Sequence, residues 1–126
     1  MTVVLALFLL VFIVAILVYL FPLANVVGNS MLPTYHEGEF LLCRRVLNKH
    51  THNYKDGEVY VFRAPYDDEE VRFIIKRASF FIEQDGVKYA YLLGDNPSES
   101  YDSRQYGLVS CNYAVAKVLR VINRQV

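Results

Sequence analysis

The chain has 126 residues, 13 Lys+Arg against 13 Asp+Glu, and 54% of its residues are hydrophobic. That length allows one domain, the balanced charge argues against a nucleic-acid partner, and the apolar content excludes a disordered chain. Two cysteines, Cys43 and Cys111, are too few for a disulfide scaffold or a structural zinc site.

The charge is unevenly distributed, since no Asp, Glu, Lys or Arg occurs before Glu37. From Met1 to Leu23 only Thr2 and Pro22 are not hydrophobic. As a helix at about 1.5 Å per residue, Val3 to Phe21 spans roughly 28 Å, close to the ~30 Å hydrocarbon core of a bilayer. The segment is apolar all round, which excludes a helix lying in the interface. Tyr19 fits an aromatic-belt position and Pro22 marks the helix exit. A cleaved secretory signal would carry a positive n-region and an apolar core of about 7–15 residues. This head has no positive n-region and a longer apolar run, so residues 1–23 are expected to be a retained transmembrane anchor. Its orientation is not readable from Lys/Arg bias, because the short N-terminal tail carries none.

Residues 24–126 read as short strands separated by turns. Glu39 to Val46 follows a His-Glu-Gly turn, and Glu58 to Phe62 follows Asp56-Gly57. Val71 to Lys76 follows the Pro65-Tyr66 turn and an acidic run, Asp67 to Glu70. Ser79 to Gln84 and Val87 to Leu93 flank Asp85-Gly86, the strongest hairpin signal in the chain. Tyr113 to Ile122 suits a final strand better than a helix. Segment 47–56 is expected to be an exposed loop. The fold class is therefore mostly β: one transmembrane helix followed by a small all-β domain, barrel-like or sandwich-like.

Three places could carry chemistry. In Gly28-Asn29-Ser30-Met31-Leu32-Pro33-Thr34, a turn serine could expose its hydroxyl and its backbone N–H, the nucleophile and oxyanion donor of acyl transfer. The same pattern also suits a loop whose Ser and Thr cap the backbone. Lys76 ends the apolar stretch Phe73-Ile74-Ile75 beside Arg77. Such surroundings depress an amine and make it a competent base, although a lysine there can also simply mark the solvent end of a strand. The polar loop Leu93 to Gly107 permits an ion pair between Asp102 and Arg104, and the hydroxyls of Ser98, Ser100 and Ser103 could support a neighbouring base. A Ser-His dyad would need His36, His50 or His52 to approach Ser30; His50 and His52 are expected to be solvated and not metal ligands. Cys43 and Cys111 are expected to be small buried residues, with a disulfide between them conditional on an oxidising compartment.

Taken together, these segments resemble the type I signal peptidases, membrane-bound Ser-Lys serine proteases. Four stretches carry the resemblance in the family's order. They are Gly28 to Thr34, Gly57 to Phe62 (with Glu58 for the family's Asp), Ile75-Lys76-Arg77, and Gly94-Asp95-Asn96 followed by Ser100, Asp102, Ser103, Arg104 and Gly107. The resemblance implies Ser30 as nucleophile and Lys76 as general base. It implies that Ser100 orients the amine, that Asp102 with Arg104 braces the loop, and that the region of Gly28 and the Ser30 backbone supplies the oxyanion hole. It implies no metal or cofactor. It implies a single-pass protein of the cell membrane with a β-rich catalytic domain, residues 24–126, against its outer face. The implied substrates are precursor proteins with signal peptides, cleaved after small residues at −1 and −3, and the implied partners are the lipid bilayer and the export machinery. Lysine in place of histidine as base resembles the bacterial or organellar branch.

This sequence departs from the family's common pattern in three ways. No Gly-Asp turn follows Lys76-Arg77. The short stretch 77–93 leaves no room for the β-rich insertion many members carry, so a minimal core is expected. Position 28 is Gly where some members use a serine hydroxyl. Rival readings are a specialised peptidase for pilins or conjugation proteins and a non-catalytic membrane-anchored binding module. A Ser-Lys autoprotease of the repressor type would normally add a DNA-binding domain and no anchor.

Overall fold

The computed structural model describes residues 1–67 and 69–124. Helix α1, Thr2–Leu20, buries none of its side chains in the protein and is long and apolar enough to cross a membrane. Its last turn closes where the Phe21 N–H bonds the Leu17 carbonyl, and Pro22 follows. Arg45 ties this end to the body: its Nε donates to the Tyr19 carbonyl at 2.8 Å and its guanidinium lies 4.4 Å from the Tyr19 ring centroid. A cation at the carbonyl end of a helix also complements the helix dipole.

The body is one antiparallel sheet of seven strands: β1 (Leu23–Asn25), β2 (Phe40–Arg45), β3 (Val59–Arg63), β4 (Phe73–Gln84), β5 (Val87–Leu93), β6 (Val109–Ser110) and β7 (Ala114–Val121). The spatial order is β1-β2-β7-β3-β4-β5-β6. The expected mostly-β class with an apolar N-terminal helix is what the chain forms. Strand β3 explains how so small a sheet builds a core. Its alternating run Val59-Tyr60-Val61-Phe62 is buried throughout. Val59 and Val61 pack with Val26, Met31, Leu41, Cys43 and Val118, while Tyr60 and Phe62 pack with Tyr54, Ala78, Leu92 and Cys111. A strand buried on both faces must be apolar at every position, not every second one.

Several expectations are adjusted. The separate strands 71–76 and 79–84 are one strand, β4, because Arg77-Ala78-Ser79 contains no Gly, Pro, Asn or Asp to turn the chain; a bulge between Ala78 and Phe80 absorbs the extra residue. β1 was not anticipated: three residues after the helix exit already pair with β2. Segment 47–56 is not wholly exposed, since Tyr54 is buried and His52 packs edge-on against it at 4.7 Å. Cys43 and Cys111 are both buried free thiols. They belong to the two different core clusters, and burial pushes each up to about 11.

Candidate active site

Strand β4 carries two adjacent cations, and alternation sends them to opposite faces of the sheet. Lys76 is opposite Tyr60 and Arg77 opposite Val59 across the β3–β4 ladder. Lys76 is only 6% exposed. Its Nζ donates to Ser100 Oγ at 3.2 Å, and among the described residues this hydroxyl is its one hydrogen-bond partner. Burial holds the amine below its ordinary value; the negative charge of Asp102 acts against that and Arg104 adds to it.

The loop after β5 is built around Asp102, which is fully buried. Its carboxylate accepts from Ser100 Oγ at 2.6 Å, from the Gly94 N–H at 2.8 Å, and from Arg104 Nε at 2.9 Å. Burial alone would raise the Asp102 carboxyl; these donors overcome it and hold the group well below the usual carboxylate range. Asp102 also opens the short helix α2, Ser103–Tyr106, as half of a capping box whose other half is Gln105. Ser103 Oγ accepts the Leu92 N–H at 2.8 Å, fastening the loop to β5. Ser100 is therefore a fixed hydroxyl: its proton is committed to Asp102 and its lone pair faces Lys76.

The segment 28–34 is pinned to this loop. The Asn96 N–H donates to the Ser30 carbonyl at 2.8 Å and the Asn96 side chain to the Asn29 carbonyl at 3.0 Å. A methyl group at Gly94 would lie 2.7 Å from the Ser30 carbonyl and would overlap the Ser100 side chain. Gly94 is thus where the serine segment and the lysine's hydroxyl partner meet. Ser30 is half-buried, and among the described residues its backbone N–H has no acceptor. No hydrogen bond joins Ser30 Oγ to Lys76 Nζ. Gly28 adopts φ +81°, which glycine reaches without strain, and its N–H is taken by Glu37 Oε1 at 3.2 Å.

Arg77 faces the other way. It forms a two-pronged pair with Asp95, at 2.9 and 2.7 Å, and donates to the Gly57 carbonyl at 2.8 Å. Thr34 Oγ1 completes the group by donating to Asp95. Asp95 is held below its ordinary value: burial raises it, and the bonds from Arg77 and Thr34 more than offset that. One carboxylate thereby links the segments containing Ser30, Lys76 and Gly94. Sequence reasoning expected Arg77 to help depress Lys76; Arg77 instead lies on the opposite face with its charge met by Asp95, and Arg104 is the cation that acts on the amine. Sequence reasoning assigned no role to Thr34, Asp95 or Asn96. The available signal was their place inside the very stretches that carry the candidate nucleophile and base.

The remaining candidates do not join this constellation. His36 lies against buried Glu39, its Nδ1 3.7 Å from the carboxylate. His52 is not solvated as expected: burial, with Arg44, Lys117 and Lys88, lowers its basicity, and it packs edge-on against Tyr54 and Tyr60. Among the described residues, no group of three or more His, Cys, Asp or Glu could hold a metal ion. A largely apolar groove of about 370 Å³ is lined by Ala24, Val61, Phe73, Ile75 and Ala116 among others, and neither Ser30, Lys76 nor Ser100 is part of its wall. The groove follows β1, whose outer edge has no partner strand among the described residues.

The chain thus sets an apolar helix before an antiparallel sheet in which a turn serine and the hydroxyl partner of a buried lysine meet at Gly94. The family described as signal peptidase, peptidase S26, matches residues 1–79. The chain belongs to that family. It is also 31% identical over 114 residues to mitochondrial inner membrane protease subunit 1 of Schizosaccharomyces pombe, covering 80% of this chain and 73% of the relative. The family match takes in α1, Ser30 and Lys76 and stops short of the loop 94–107.

Proposed function

We propose that the protein is a membrane-anchored serine endopeptidase that removes signal peptides with a Ser30–Lys76 dyad. The observation that carries this reading is a buried lysine with a lowered pKa whose partner is a hydroxyl, not a carboxylate. A carboxylate partner would hold the amine protonated and useless as a base. Lys76 takes the Ser30 proton as Oγ adds to the scissile carbonyl. The Ser30 N–H stabilises the oxyanion, a donor typically worth about 3–4 kcal/mol. Protonated Lys76 then delivers the proton to the leaving amine, giving an acyl-enzyme. Neutral Lys76 next activates a water that releases the new carboxylate and regenerates Ser30. The scheme uses no metal or cofactor.

Ser100 is the positioning residue for the amine, with Asp102 and Arg104 holding Ser100. Gly28 sets the backbone of the turn, and the Ser30 amide is the oxyanion donor available in it. A precursor could add as an extended strand at the free edge of β1, with small residues at −1 and −3 facing the apolar groove. Shallow subsites for those two positions would reject bulk by clash. The segment between Pro22 and Ser30 is at most about 25 Å long when extended, so cleavage occurs near the headgroups. In this reading the catalytic domain occupies the outer face of the cell membrane, where exported precursors emerge. The relative's name favours a second setting, the mitochondrial inner membrane and a role as one subunit of an assembly. Fractionation with protease protection separates the two. The test of the activity is cleavage of a small-x-small precursor by the full chain in detergent. Wild type should cleave it and Ser30→Ala should not; equal cleavage by both overturns the reading.

A further inference from the structure

We propose that a cationic groove at the exit of α1 binds the phosphate headgroup of an anionic phospholipid. The inference rests on the membrane-anchor reading of α1 but not on the peptidase chemistry. The groove, of about 580 Å³, is walled by Leu20 and Phe21 at the helix end and by Arg44, Arg45, Lys55 and Lys117 from the sheet and the following loop. Among the described residues, no acidic one lines it. Among the described residues, none of these four cations has a carboxylate within ion-pair distance. The cations are converged by the fold: Arg44 of β2 and Lys117 of β7 are direct cross-strand partners. Like charges opposed in this way repel, so the arrangement gains from an anion between them.

The position chooses the anion. The 19 residues of α1 span the hydrocarbon core at about 1.5 Å per residue, so the groove starting at Leu20 sits at headgroup depth. Arg45 fixes that depth by its bond to the Tyr19 carbonyl. Leu47, exposed at the same rim, lies where acyl chains begin. A phosphate diester fits the cations, and its acyl chains fit Leu20, Phe21 and Leu47.

The test uses the full chain in non-ionic detergent with mixed micelles of phosphatidylglycerol or phosphatidylcholine, reading retained lipid by native mass spectrometry. Wild type should retain phosphatidylglycerol selectively, less so as ionic strength rises. Loss of one cation near an anionic surface weakens binding about five-fold, so Arg44→Gln/Lys117→Gln should lose roughly 25-fold and Lys55→Gln about five-fold. Arg120→Gln, outside the groove, should bind as wild type. Inorganic phosphate at equal concentration should not displace the lipid. Equal retention of the two lipids, wild-type retention by the double variant and by Lys55→Gln, or full displacement by phosphate overturns the proposal. Release of the protein from membranes by alkaline carbonate would instead overturn the anchor reading beneath it.

Discussion

Lys76 and Arg77 are neighbours in sequence and opposites in environment. Arg77 spends its guanidinium on Asp95 and the Gly57 carbonyl, and its charge is neutralised where it stands. Lys76, one pleat away, is buried against a hydroxyl whose proton already belongs to Asp102. The first arrangement holds a cation charged and braces three loops. The second makes the charged form costly and leaves the amine ready to lose a proton. Side-chain chemistry agrees with the division, since a guanidinium keeps its proton and a planar fork suits a carboxylate, while an amine shifts readily when buried.

The largest effect comes from forcing the two sites to be alike. Lys76→Arg should lower precursor cleavage by about 10²–10⁴-fold, the usual worth of a general base, because guanidinium cannot deprotonate. Cleavage rates with purified protein check this. Appreciable cleavage by Lys76→Arg that Ser30→Ala abolishes would assign the base to another residue, with His36 the first to test.

Next is the brace. Arg77→Gln leaves Asp95 without its fork in a half-buried site and should cost about 1–3 kcal/mol of stability in thermal or urea unfolding. Arg77→Gln/Asp95→Asn should recover part of that loss, since no charge is left unpaired. Full additivity of the two single changes would mean that the pair is not coupled.

Ser100→Ala should act on turnover more than on stability. Loss of one positioning hydroxyl should reduce kcat about tenfold or more with KM little changed, a loss near 1.4 kcal/mol in the transition state. Wild-type turnover in Ser100→Ala would remove Ser100 from the positioning role.

The smallest effect is on the stability–pH curve. Lys76 sits below the ordinary lysine value of 10.5 in the folded protein, so between the lowered value and 10.5 the unfolded chain binds the extra proton. Stability contributed at this site therefore rises with pH across that window, and below the lowered value the full penalty of the buried charge applies. Lys76→Met should be inactive, more stable than wild type at neutral pH, and free of this part of the rise. Activity of wild type should rise as pH passes the lowered value and level off above it, while stability goes on rising toward 10.5. A wild-type minus Lys76→Met stability difference that stays flat from neutral pH to 10.5 contradicts the lowered amine.

Local signals carried much of this without coordinates. The apolar run became α1 because a uniform stretch long enough to span a bilayer needs no partner to be recognised. Alternating Val59-Tyr60-Val61-Phe62, and Asp85-Gly86 between two β-rich runs, became β3 and the β4–β5 hairpin because pleat and turn chemistry are local. Ser30, Lys76, Ser100, Asp102 and Arg104 could be picked out because their residue types and order resemble those of one family. The depression of the Lys76 amine was legible only in part, through Phe73, Ile74 and Ile75.

The rest was decided by contacts between segments far apart in the chain, which no short window contains. Asp95 joins Thr34 and Arg77 through side-chain bonds spanning 61 and 18 positions. Asn96 holds the Ser30 carbonyl, and Gly94 leaves the space in which Ser30 and Ser100 approach. Arg44 meets Lys117 only because β7 lies between β2 and β3 in the sheet. Composition and periodicity determined which strands and which reactive groups the chain possesses. Strand order and burial, which depend on long-range pairing, decided that Lys76 has a hydroxyl for a partner and Arg77 a carboxylate.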